Sequence, residues 1–130
     1  MILDGKNMIF GRFSVEIARK LMNNEEISVI NAEKIIILGD PQRTFEKYLE
    51  LRQKGDVFKG PFFPKRPDDI FKRTVKGMLP KNRMDRKYLK NLKVYIGTPD
   101  GMKGEKLEQK PIKTNFISLG ELSKKLGWSQ

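Results

Sequence analysis

The chain has 130 residues, enough for one compact domain and too few for two of ordinary size. With no cysteine and no histidine it has no disulfide framework, no thiolate metal site, and neither the commonest zinc ligand nor the commonest general base, all of which argues against catalysis. At 38% hydrophobic residues it can bury a core, yet no window approaches the ~20 apolar residues of a membrane span, and the first residues lack the basic-then-apolar order of an export signal.

The formal net charge of +11 is unevenly placed. Residues 52 to 93 hold 14 Lys and Arg against four acids (Asp56, Asp68, Asp69 and Asp85), a net of +10, whereas the rest of the chain holds 13 basic and 12 acidic residues. A concentrated basic stretch on a near-neutral body is the electrostatic footprint of a polyanion binder, although a solvated, solubilising face has the same composition.

The opening MILDG reads as a short apolar strand ending in a turn. From Gly11 to Asn23, Phe13, Ile17 and Leu21 recur every four residues with Ala18 and Met22 beside them, which predicts an amphipathic helix. ISVIN (27–31) and KIIILG (34–39) are β-branched runs between polar residues and read as buried strands. Asp40-Pro41 then offers an N-cap acceptor followed by proline at the first helical position, opening a helix that carries Phe45, Tyr48, Leu49 and Arg52 as far as Gly55. A Gly-Asp turn between strand and helix also suits a phosphate, but capping accounts for it.

Between Gly55 and Pro67 the prolines and glycines of GDVFKGPFFPKRP forbid regular structure, while Phe62 and Phe63 stand ready either to pack in the core or to stack on bases. Asp68 or Asp69 is expected to cap a helix through Leu79, with Phe71, Val75 and Met78 inward and Lys72, Arg73 and Lys76 outward. After Pro80, Asp85 can cap a short helix with Tyr88, Leu89 and Leu92 inward, leading into the strand KVYIG (93–97). Residues 98–115 lack periodicity and read as an extended arm. Ser118 and Glu121 have capping-box spacing, Ile117 and Leu122 fit a hydrophobic staple, and Gly127 closes the C-terminal helix they begin.

Strands alternating with helices predict a single α/β layered domain over residues 1–130, in which 98–130 form a C-terminal arm and helix. The link between the strands at 27–31 and 34–39 is too short for a helical crossover, so a hairpin or a one-turn connection is allowed there.

The basic stretch has the chemistry of an RNA contact, because each cation that displaces a condensed counterion strengthens binding and arginine grips phosphate with a planar fork. The candidate RNA-binding set is Arg52, Lys54, Lys59, Lys65, Arg66, Lys72, Arg73, Lys76, Lys81, Asn82, Arg83, Arg86, Lys87 and Lys90. Cations supplied from several elements suit a folded RNA with varied phosphate directions better than a straight duplex.

VKGMLPKNRMDRKYLKNLKVYIG (75–97) resembles the characteristic stretch of the L-thirteen family of universal large-subunit ribosomal proteins, through Val75, Lys76, Gly77, Met78, Leu79 and Pro80, then Leu92, Val94, Tyr95 and Gly97. Asp85 departs from the Gly or Ser usual there. Asp4, Gly11-Arg12, VINAEKIIILG (29–39) and KGPFFPKRPDDIFKRTVKGMLP (59–80) also look like family counterparts, the last being similar to the archaeal branch. The resemblance is good over residues 1–97 and weak beyond.

It implies a three-layer α/β/α domain around a four-stranded, mostly parallel sheet. It also implies binding to large-subunit rRNA early in subunit assembly, beside neighbouring large-subunit ribosomal proteins in the cytoplasm, with no catalysis, cofactor, metal, membrane or small-molecule substrate. Its RNA-contacting stretch maps onto Lys59 to Lys90.

Two rival readings come from short motifs. Pro67-Asp68 followed by Asp85-Arg86-Lys87 mimics a metal-dependent nuclease pattern, which needs two carboxylates converging on Mg²⁺. LGELSKKLGWS (119–129) resembles the first helix and turn of a DNA-binding helix-turn-helix, without a recognition helix after it.

Overall fold

The computed structural model describes residues 1–53, 66–81, 84–99, 102–107, 109, 112 and 114–128, with Arg52, Gln53 and Asp85 described by backbone alone. In chain order these form β1 (Ile2–Asp4), α1 (Phe10–Met22), β2 (Ile27–Ile30), a one-turn 3-10 helix (Ala32–Lys34), β3 (Ile36–Leu38), α2 (Pro41–Gln53), α3 (Pro67–Met78), α4 (Asp85–Lys90), β4 (Leu92–Val94), β5 (Phe116–Ser118) and α5 (Leu119–Lys125).

Strand periodicity decides which residues make the core. β1, β2 and β4 form a parallel sheet in that order, in a register that places Leu3, Val29 and Val94 side by side. That row is 0%, 0% and 7% exposed, and Ile27 and Leu92 are buried on the same face. The same buried cluster takes Phe13, Ile17 and Leu21 from α1 and Ile70, Phe71 and Val75 from α3. Phe71 ties the two helices, its ring lying 5.9 Å from Phe10 and 5.6 Å from Phe13, within the range of favourable aromatic pairs.

The expected four-stranded sheet is instead this three-stranded parallel sheet and a separate antiparallel ribbon of β3 and β5. Asn31, left-handed at φ 56°, opens the 3-10 turn, which carries the chain out of the parallel sheet. The two strands it joins therefore do not pair with each other, and the short link is the one-turn connection. On the free side of β1 the arm supplies a single parallel bridge rather than a fourth strand. There the Asp4 N–H donates to the Glu105 carbonyl at 3.0 Å and the Glu105 N–H to that of Ile2 at 2.9 Å.

Several local expectations are corrected. Met22, Leu38 and Met78, expected inward, are 37%, 40% and 38% exposed, because each sits at the last position of its element. β4 covers Leu92–Val94 alone, although the Tyr95 N–H still donates to the Val29 carbonyl. Arg66, not Asp68 or Asp69, is the N-cap of α3, since Pro67 takes the first helical position and pushes both acids into the first turn. Met84 likewise holds the cap position of α4, which leaves Asp85 as its first residue.

Other helix ends follow the residues that predicted them. Asp40 accepts the Gln42 N–H at 3.0 Å ahead of α2, whose Phe45, Tyr48 and Leu49 are half-buried. Ser118 accepts the Glu121 N–H at 3.2 Å, with Ile117 and Leu122 buried beside it. Gly127, at φ 109°, ends α5 in a Schellman pattern: the Trp128 N–H reaches the Ser123 carbonyl at 2.9 Å and the Gly127 N–H that of Lys124 at 3.1 Å. Among the described residues no helix is long and apolar enough to cross a membrane.

Candidate nucleic-acid interface

α3 is oriented by its apolar stripe. Ile70, Phe71 and Val75 are fully buried, which turns Arg73 and Lys76 to solvent and leaves Lys72 half-buried. Spacings of three and four residues place Lys72 and Arg73 one turn before Lys76, so the cations share one side of the helix. Asp68 and Asp69 lie in the first turn and Lys76 in the last, both favourable to the helix dipole. Asp68 also accepts the Asp69 N–H at 3.0 Å and pairs with the Arg66 Nε at 3.4 Å.

α4 repeats the arrangement on a smaller scale. Tyr88 and Leu89 are half-buried and Leu92 beyond them is buried, so Arg86, Lys87 and Lys90 are exposed. Lys87 and Lys90 occupy the last turn, where the helix carbonyls favour positive charge. Lys81 is exposed between the two helices.

Lys72, Lys76, Lys81, Arg86, Lys87 and Lys90 form no ion pair with any described carboxylate; Arg66 does. Of the remaining predicted set, Lys54, Lys59, Lys65, Asn82 and Arg83 lie outside the described residues, as do Phe62, Phe63 and the Gly55 helix stop. Arg52 is placed in the last turn of α2 by its backbone alone. Sequence reasoning left Lys93 out of the set. β4 reads apolar-charged-apolar, and that alternation is the signal that points Lys93 outward.

The nuclease pattern does not assemble around Asp68, whose carboxylate is engaged by Arg66 and by its own helix turn. Among the described residues no group of three acidic side chains converges as a metal would require.

At the carboxyl ends of the parallel strands, where open α/β sheets usually bind ligands, the chain fills the space itself. Asp4 Oδ1 accepts the Lys6 N–H at 2.9 Å and Asn31 Nδ2 at 3.0 Å, while Thr98 Oγ1 donates to Asn31 Oδ1 at 3.0 Å. The Asn31 N–H donates to the Gly97 carbonyl at 2.9 Å, and the Gly97 N–H to Glu33 Oε2 at 2.7 Å. Burial raises the Asp4 pKa, but the Asn31 and Lys6 hydrogen bonds and the charges of Lys106 and Lys6 together outweigh it and hold the carboxyl below its ordinary value.

The sequence profile described as "Ribosomal protein L13" matches residues 1–100. The large ribosomal subunit protein uL13 of Archaeoglobus fulgidus is 43% identical over 136 residues, covering 98% of this chain and 87% of the relative. Its counterparts in Methanopyrus kandleri and Methanocaldococcus jannaschii are 39% and 40% identical, covering 98% and 97% of this chain and 86% and 96% of the relatives. With a profile spanning most of its length and relatives of this identity along nearly all of it, the chain belongs to the ribosomal protein L13 family.

Proposed function

We propose that the chain is a non-catalytic constituent of the large ribosomal subunit that binds large-subunit rRNA and supports early assembly of that subunit in the cytoplasm. The observation that carries the reading is the exposed Lys76, Lys81, Arg86, Lys87 and Lys90, which no described carboxylate neutralises. Left unpaired, they suit a phosphate backbone, and the names of the relatives supply the matching context of a large ribosomal subunit. The RNA-contacting set in this reading is the one derived from sequence, Arg52 to Lys90, with neighbouring large-subunit proteins as further partners. The three-layer α/β/α arrangement belongs to the same proposal, with its second outer layer covering that face of the sheet only in part.

Charge reversal at Arg73, Arg83 and Arg86 tests it. If about six cations neutralise phosphates, log affinity for rRNA falls against log salt with a slope of roughly −4 to −5. The reversed variant is expected to bind more weakly and with a shallower slope while its melting curve stays cooperative. Unchanged affinity and slope would sink the site assignment.

A further inference from the structure

We propose that the second face of the parallel sheet is itself a docking surface for RNA backbone, a cleft in which Lys90 and Lys93 together hold a phosphodiester. This rests on the rRNA-binding reading above, which already includes Lys90, and extends it to Lys93 and the sheet face beside it.

The alternation that buries Leu3, Val29 and Val94 turns the adjacent row, Ile2, Ser28 and Lys93, to the opposite side. There Ile2 and Ser28 are half-buried and Lys93 is exposed, whereas Ile30 farther along the same face is 2% exposed, so the opening lies at the amino ends of the strands. Parallel sheets occur almost always with both faces covered, so a partly open second face is one that a partner can complete.

The chemistry of the cleft selects that partner. The end of α4 brings Lys90 and Asn91 to the rim beside Ser28 and Lys93, enclosing about 230 Å³. That is smaller than the ~300–1,000 Å³ of a pocket for a drug-sized ligand and suits a phosphate with part of its sugar. Glu26 is the acid on the wall, and neither lysine is ion-paired with it or with any other described carboxylate. Two ammonium groups sharing a cleft repel each other until an anion enters between them. An apolar helix laid over the same face would bury both unpaired, at a cost that excludes it. The Ser28 hydroxyl and the Asn91 amide add neutral donors for phosphate oxygens or a ribose 2′-OH.

The test compares Lys90→Gln/Lys93→Gln with a control pair, Lys34→Gln/Lys124→Gln, which removes the same charge from exposed positions elsewhere. Binding to in-vitro-transcribed large-subunit rRNA is measured over a salt series. The cleft pair is expected to make the slope shallower by roughly 1.5, with the control close to the native chain. Native affinity and slope in the cleft pair would overturn the proposal, as would an equal loss in the control pair. A native chain that does not bind this RNA at all would instead remove the underlying reading.

Discussion

Asn31 donates from its side-chain Nδ2 to Oδ1 of Asp4 at 3.0 Å while its own backbone is held left-handed at φ 56°. The pair joins the ends of neighbouring strands β1 and β2, and Thr98 extends the link beyond β4 by donating to Asn31 Oδ1. One side chain thus secures the carboxyl ends of the sheet at the residue that also sends the chain into the 3-10 turn. Asparagine suits both tasks, because it tolerates a positive φ better than other non-glycine residues and carries a donor and an acceptor on one short arm.

Asn31→Ala should therefore lose two hydrogen bonds and strain the backbone together, costing about 2–4 kcal/mol of stability. Asn31→Gly restores the backbone freedom without the hydrogen bonds and should fall between the alanine variant and the native chain. Urea unfolding of the three proteins checks that order. An alanine variant as stable as native would mean the link contributes nothing.

The same pair sets a pH dependence. The folded Asp4 carboxyl sits below its ordinary value of about 3.9, so it holds a proton less readily than in the unfolded chain. Its contribution is fully present above the unfolded pKa and is lost as pH falls through the folded one. The stability gap between the native chain and Asp4→Asn should accordingly narrow on acidification below about pH 4, whatever the other carboxylates do in both proteins. Thermal melts of the two across the acid range measure the gap; a constant difference would show that Asp4 titrates alike in both states.

Much of this architecture is legible in the residues because it is local. The four-residue recurrence of Phe13, Ile17 and Leu21, the capping of α2 by Asp40 and the Ser118–Glu121 spacing each report a structure completed within one or two turns. Strand pairing is not local. IIIL has the composition of a buried parallel strand, and nothing in it reveals that a left-handed Asn31 diverts it to pair with residues eighty positions later. Among the cations, helical periodicity identified Lys76 as outward, whereas the signal for Lys93 was the alternation of a strand only three residues long.

Two buried serines make a second contrast. Ser14 Oγ donates to the Phe10 carbonyl at 2.6 Å, whereas Ser123 Oγ, equally inaccessible, has no hydrogen-bond partner among the described residues. An unsatisfied buried hydroxyl costs about 1–3 kcal/mol, and alanine is also the better helix former. Ser123→Ala should raise Tm by a few degrees, while Ser14→Ala should lower it or leave it unchanged. Calorimetry on both variants decides, and a fall in Tm for Ser123→Ala would show that its hydroxyl is satisfied.

Gly77 is the penultimate residue of α3, exposed, and a Cβ added there would meet nothing described within 4 Å. Glycine in a helix is less favourable than alanine by up to about 1 kcal/mol, the full amount applying to interior positions rather than the last turn, and no close approach among the described residues offsets that. It also lies on the helix that presents Lys72, Arg73 and Lys76, and next to the last of them. If that surface meets an RNA backbone, the missing side chain lets the phosphates come closer than alanine would allow. Gly77→Ala should then stabilise the free protein by up to about 1 kcal/mol and weaken rRNA binding at the same time. Urea unfolding and filter binding on one preparation separate the two effects. Stabilisation with unchanged affinity would mean that the RNA does not reach this part of α3.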